Sequence, residues 1–323
     1  MAELHIFTFI RSWGGRAMNG TNVQIDTFPP LVVATLKGAW AASQSDNTRR
    51  NYACALRAWA RWCEANGFEA LPATVEGVCL YLSDRFHQGA KPPTLRLALS
   101  AIRDAHLWNN LDSPTDAVEV KRAMQGFTRQ AVAAGVRVAQ AKALTVEAVA
   151  AIRGYLNGRV KTDRRAARDM AAVSLSAHTG LRIGELAALD WDDIASEPDG
   201  TGRITVHRSK TDQEGAGEVI AVTAAAMNDL ANWERLQGAG RQGKVFGITA
   251  RQIGDRVKAV AAAAGLGDGY SGHSGRVGLA VTMTRLGAPV QAVQRQGRWK
   301  SSRMVASYTR AESAGEVLKW LPQ

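Results

Sequence analysis

The sequence predicts a mainly α protein of two helical domains, the second of which carries a small antiparallel β-sheet. Three observations lead there. Apolar residues recur at three- and four-residue intervals through most of the chain, the spacing of a helix with one buried face. The 323 residues exceed one minimal core and suffice for two domains of roughly 100–200 residues each. One pair of short segments instead alternates apolar with polar, the period of a strand.

Taken in order, residues 1–22 contain Gly14, Gly15 and Gly20 with little periodicity and read as a flexible tail. Helical pattern then runs from Leu31 to about Arg137. In its first clear helix Tyr52, Leu56, Trp59, Trp62 and Cys63 share a face, Ser45 or Asn47 can cap the start, and Gly67 can end it. Further helices are expected over 74–82, 94–107 and 116–133, punctuated by Gly89, Pro92 and Pro93, and by Asn109 with Asn110. Residues 23–134 thus form an N-terminal helical domain. The segment 134–142, AGVRVAQAK, has little apolar pattern, so 135–143 is the linker and 144–323 the second domain, opened by a helix after Thr145. There, residues 203–208 (RITVHR) and 218–223 (EVIAVT) read as a β-hairpin across a Gly-containing loop. Helices follow at about 223–237, 249–264, 274–286, 289–296, 301–310 and 313–321.

Composition narrows the function. With 46% hydrophobic and 21% charged residues the chain expects a packed core rather than disorder. Forty Lys and Arg against twenty-nine Asp and Glu leave +11, which favours a polyanionic partner, nucleic acid or an acidic surface. Cys54, Cys63 and Cys79 are odd in number and lack CxxC spacing, so they read as buried thiols of a reducing cytoplasm, not as a disulfide framework or zinc site. No run of eighteen apolar residues exists, and no membrane partner is expected.

The chemistry-bearing motifs begin with absences. There is no HExxH, no GxxxxGK[ST] phosphate loop and no strand-borne GxSxG. What stands out is Thr179-Gly-Leu-Arg182-Ile-Gly-Glu185, Lys210 after the first hairpin strand, His273-Ser-Gly-Arg276, Trp299, and Tyr308. Two guanidiniums can grip the non-bridging oxygens of a phosphodiester in fork geometry and neutralise charge as a phosphorane forms. A tyrosine hydroxyl, with a free pKa of about 10, becomes a nucleophile beside a base or in a cationic pocket. A lysine with neighbouring cations can protonate a leaving alkoxide. Singly, each has an ordinary explanation. Arg182 can pair with Glu185 one turn on, Lys210 can be solvated loop, His273 a cap, and Trp299 and Tyr308 packing. Tyr52, Tyr81, Tyr155 and Tyr270 compete for the nucleophile's role.

Together, Arg182 with Glu185, Lys210 in a hairpin, His273 and Arg276 in SGHSGR, Trp299 in GRW and Tyr308 nine residues later resemble the tyrosine recombinase (phage integrase) family. The resemblance is strong over SGHSGRVG and GRWKSSRMVASYTR, and extends to RAWARWCEANG (57–67) and TLRLALSAIRDAH (94–106). It implies an N-terminal DNA-binding domain and a catalytic domain that together form a C-shaped clamp on double-stranded DNA. It further implies that Tyr308 attacks the scissile phosphate to give a 3′-phosphotyrosyl link. Arg182 and Arg276 would hold the phosphate, Lys210 protonate the leaving oxygen, His273 act as base or donor, Trp299 contact the phosphate, and Glu185 orient its neighbours. No metal, nucleotide or other cofactor is implied. Thr48, Arg49, Arg50, Arg96 and Arg103 are expected DNA contacts of the first domain, and Arg251 of the second; Pro93 stands where such proteins carry a basic residue. The segment 313–321, SAGEVLKWL, would dock on a neighbouring protomer and link a homotetramer on inverted-repeat sites. A cytoplasmic protein of bacterial or phage origin fits this reading. A topoisomerase of type IB and a DNA-binding regulator without catalysis are the alternatives.

Overall fold

The computed structural model describes residues 29–136, 140–207, 217–238, 240 and 242–310. The chain divides into two compact units, Met1–Val138 and Ala139–Gln323. The tail at 1–22, Lys210 and the segment 313–321 lie outside the described residues.

Among the described residues the first unit holds five α-helices: α1 (Pro30–Ala42), α2 (Asp46–Asn66), α3 (Val75–His87), α4 (Pro92–Trp108) and α5 (Val118–Ala133). Ser45 caps α2 by accepting the Thr48 N–H on its hydroxyl, and Gly67, at φ 73°, closes it in the left-handed conformation that lacks a steric penalty only for glycine. The apolar stripe of α2, Leu56, Trp59, Ala60 and Cys63, meets Tyr81, Leu82, Leu95 and Ile102 in the core. Trp59 satisfies its buried indole N–H on the Ala70 carbonyl at 2.9 Å. Two boundaries differ from the sequence expectation. Helix α3 continues past Leu82 to His87, and α4 starts at Pro92 because proline in a first turn forfeits no hydrogen bond and arrives with a helical φ. The three thiols are unpaired, but only Cys63 is buried; Cys54 lies on the solvent side of α2 and Cys79 is half-buried.

In the second unit, α6 (Val146–Leu156) leads to α7 (Arg164–Thr179), a helix buried on almost every side. It packs against α6, α9 (Ala224–Gln237), α10 (Ala250–Ala263) and α11 (Ser274–Arg285). Alanines at 166, 167, 171, 172 and 177 make that possible, because small side chains let neighbouring helices approach from several directions. After the short α8 (Ile183–Ala188) comes a three-stranded antiparallel sheet of order β1 (Ile194–Ser196), β2 (Gly202–Val206), β3 (Glu218–Val222). Ile204 pairs with Ile194 on one side and Ile220 on the other, so the alternation read from sequence puts a row of branched side chains on the core face. The expected hairpin is β2 and β3; β1, three residues long, is too short to show an alternation. Helices α12 (Val290–Gly297) and α13 (Ser302–Tyr308) are the last elements among the described residues, gathering a separate small core of Leu279, Ala280, Val293, Trp299 and Val305 with α11. No helix among the described residues is long and apolar enough to cross a membrane.

Candidate active site

The site is assembled where α7 ends. Gly180, at φ 61°, turns the chain out of α7, and Arg182 becomes the first residue of the next helix cap. Glu185, three residues on, folds back: its Oε2 accepts the Arg182 backbone N–H and its Oε1 the Arg182 Nη1, both at 2.7 Å. The i,i+3 pair expected from sequence is therefore present, not as a solvated surface pair but with the Glu185 carboxylate also capping the Arg182 backbone N–H.

Helix α11 brings the next two residues to the same place. Its second residue is Gly275, where a Cβ would stand 1.9 Å from the Ser176 hydroxyl and 2.6 Å from the Ser176 carbonyl oxygen. Only a residue without a side chain lets α11 lie this close to α7. The approach carries His273 and Arg276 to the Gly180 turn, and Arg276 Nη1 donates to the Gly180 carbonyl at 2.7 Å.

The third contribution comes from the C-terminal helices. At Gly297 a Cβ would fall 1.8 Å from Trp299 Cζ3, so the indole folds back over bare backbone. There it takes the Arg276 guanidinium against its ring at 4.7 Å, a cation–π contact, and stands 5.7 Å from the Tyr308 ring. Tyr308, at the end of α13, places its hydroxyl 2.8 Å from His273 Nε2. Of the competing tyrosines, Tyr81 and Tyr270 are buried in the two cores and Tyr155 stacks under Arg159. Tyr52 packs against the first core.

The electrostatics follow from burial and like charge. Burial, then the charges of Arg276 and Arg182, push the His273 imidazole below its ordinary pKa, so it is neutral at pH 7 and can accept a proton. Burial, with Arg182 next, lowers Arg276 to about 10, which still leaves it charged at neutral pH. Burial alone would raise Glu185, but hydrogen bonds and charge from Arg298 and Arg182 outweigh it and hold the carboxyl below the usual range. Two guanidiniums, those of Arg182 and Arg298, thus hold one carboxylate, and a third, that of Arg276, stands in the same cluster bonded to a backbone carbonyl and not to an acid. Such an excess of positive charge at a partly buried place is relieved by an anion. The indole N–H of Trp299 has no hydrogen-bond partner among the described residues.

One of the three guanidiniums, Arg298, escapes the sequence reading. It is buried, and its Nη2 donates to Glu185 Oε2. The signal lay in the motif GRW itself: an arginine stands where a helix closes and glycine is the common choice.

Of the six expected DNA contacts, five belong to the first unit and one, Arg251, to the second. Thr48, Arg49 and Arg50 sit in the first turn of α2, where Thr48 bonds the Ser45 hydroxyl and Arg49 pairs with Asp46. Arg96 and Arg103 lie two turns apart on the exposed face of α4, Arg96 donating to Thr128 at 3.1 Å and Arg103 to Asp116 at 2.5 Å. Arg251, near the start of α10, is 92% exposed and 3.8 Å from Asp255.

Residues 142–314 match the phage integrase family. Over 295 residues the chain is 27% identical to the recombinase Cre of Escherichia phage P1, covering 82% of this chain and 84% of that protein. It is 28% identical over 290 residues to an integrase/recombinase XerD homologue of Selenomonas ruminantium, covering 82% of each. Among solved structures the fold is similar to the XerH site-specific recombinase bound to its difH substrate, with a TM-score of 0.65, 16% identity, and 99% and 96% of the two chains covered. It is also similar to the Tn1549 transposon integrase in complex with transposon end DNA, with a TM-score of 0.59, 13% identity, and 90% and 98% covered.

Proposed function

The chain belongs to the phage integrase family, the tyrosine recombinases, which cut and rejoin DNA in site-specific recombination, and from that premise we propose that it works through a 3′-phosphotyrosyl intermediate formed on Tyr308. The observation that carries this reading is the Tyr308 hydroxyl held on neutral His273, beside a cluster of guanidiniums with too few carboxylates to balance it.

The reaction uses these groups as follows. The Tyr308 oxygen attacks phosphorus, and its proton passes to His273 Nε2 across the 2.8 Å hydrogen bond. Arg182, partly exposed, and Arg276, from beneath the Trp299 ring, neutralise the non-bridging oxygens as the phosphorane forms. The unpartnered Trp299 N–H donates to one of those oxygens. The bond from phosphorus to the 5′-oxygen breaks, and Lys210 delivers the proton that makes the leaving oxygen a hydroxyl. Return of a 5′-hydroxyl from a partner strand reverses each step. The ester keeps the bond energy, so neither a metal ion nor ATP is required. Both units contact duplex DNA, with Thr48, Arg49, Arg50, Arg96, Arg103 and Arg251 as contacts, and four protomers pair two inverted-repeat sites through the segment 313–321.

The test is covalent trapping. DNA selected from a random pool by the purified protein, nicked beside the cleavage point, should yield a protein–DNA adduct in chelator. Tyr308→Phe should bind the same DNA and yield none. Adduct formed by Tyr308→Phe at the wild-type level would move the nucleophile elsewhere, and activity lost in chelator and restored by magnesium would contradict the metal-free route. Supercoil relaxation without strand exchange between two sites would favour the topoisomerase alternative.

A further inference from the structure

Arg298 occupies a backbone position suited to glycine. It closes α12 with φ 53° and ψ 51°, the left-handed region that penalises any residue bearing a Cβ. Its side chain is only 1% exposed, and arginine is among the residues least often buried unless paired. Two unfavourable features at one residue require an interaction that offsets both. That interaction is with Glu185: Arg298 Nη2 donates to Oε2, the oxygen that also accepts the Arg182 backbone N–H, while Oε1 holds Arg182 Nη1. The carboxylate is thereby clamped between a guanidinium in the interior and one 27% exposed toward solvent. The Nε of Arg298 also stands 3.8 Å from Glu218, at the start of β3.

We propose that Arg298 is a positioning residue for strand cleavage, which fixes the Glu185 carboxylate from the interior and through it orients the Arg182 guanidinium toward the phosphate. The proposal rests on the recombinase reading above. Arg298 does this in two ways. It removes the rotational freedom of the Glu185 carboxylate, so Arg182 meets a rigid partner. It also shares the negative charge of Glu185, so less of Arg182's positive charge is neutralised internally and more is left for the scissile phosphate.

Arg298→Gly deletes the guanidinium while giving the backbone the residue its dihedrals favour, and Arg298→Lys keeps a cation without the fork. The probe is the nicked duplex that wild-type protein selects from random DNA, with affinity and single-turnover adduct rate measured separately. The glycine variant should bind within about threefold of wild type yet cleave at least about tenfold more slowly, since small misplacement of a phosphate-holding group acts on the chemical step. Millimolar guanidinium chloride should recover part of that rate relative to sodium chloride at equal ionic strength, and Arg298→Lys should fall between. A glycine variant that cleaves at the wild-type rate overturns the proposal. So does one whose affinity and rate fall together without guanidinium rescue, which would mark a merely structural role. Should the glycine variant not fold, a lysine variant that cleaves at the wild-type rate overturns it equally. Absence of adduct with wild-type protein would instead sink the recombinase reading itself.

Discussion

Two histidines, His106 and His273, show how environment decides what a residue does. His106 is fully buried, its Nε2 accepts the Ala73 N–H and its Nδ1 faces the Ile102 carbonyl, so both nitrogens are committed to structure. His273 lies at the mouth of a cation cluster with Nε2 on a tyrosine hydroxyl. Both imidazoles are pushed down by burial, but in His273 the charges of Arg276 and Arg182 add to that effect. A depressed histidine pKa means that the folded protein keeps the ring neutral to lower pH than the free side chain does. An NMR titration of His273 without DNA should accordingly give a midpoint below about 6.5, the ordinary histidine value. Arg276→Gln should move that midpoint up, since one of the repelling cations is gone. A midpoint at or above the ordinary value would contradict the cationic environment described for the site.

At the level of elements, the site depends on how closely helices approach, more than on any single contact. Gly275 admits α11 to the backbone of α7, and a methyl group there would overlap Ser176. Gly275→Ala should cost about 1–3 kcal/mol, seen as a melting temperature lowered by roughly 2–10 °C, because backbone cannot yield as a flexible side chain can. Cleavage should fall as well, since His273 and Arg276 ride on α11. A melt unchanged from wild type would show that the two helices separate freely. Gln296 does a related task on the other side, pairing with both backbone groups of Ala221 and so tying α12 to the edge of β3. In the first unit, α4 presents Arg96 and Arg103, but Asp116 already engages Arg103. Asp116→Asn should release that guanidinium and tighten DNA binding about two- to fivefold at moderate salt, the scale of an exposed ion pair. Weaker binding after that change would argue that Asp116 holds Arg103 in a productive pose.

Across the whole molecule, the net charge of +11 sets the long-range interaction with DNA. Each phosphate neutralised releases condensed counterions, so a plot of log affinity against log salt should have a slope of roughly −4 or steeper if about five or more phosphates are engaged. Fluorescence anisotropy on a labelled duplex measures it, and a slope near zero would remove phosphate contact as the source of affinity. The two units each hold a core of their own, Trp59 and Tyr81 in one and Trp191 and Ile204 in the other, so the guanidinium cluster and the α4 face are supported by separate packing.

Amino-acid order alone determined the helical period, the cap at Ser45 and the stop at Gly67, and the β2–β3 pairing, because these depend on neighbours within a few residues or on a simple alternation. It also carried the cluster of Arg182, Glu185, His273, Arg276, Trp299 and Tyr308, legible through the resemblance of whole motifs and not through any single residue. Only the tertiary structure decided that Glu185 sits between two guanidiniums, that Arg298 is one of them, and that two glycines exist to let α11 and Trp299 approach. The physical reason is range. Capping and periodicity are local interactions, whereas the charge balance at Glu185 is set by residues 113 positions apart that meet only after α12 has packed against α11.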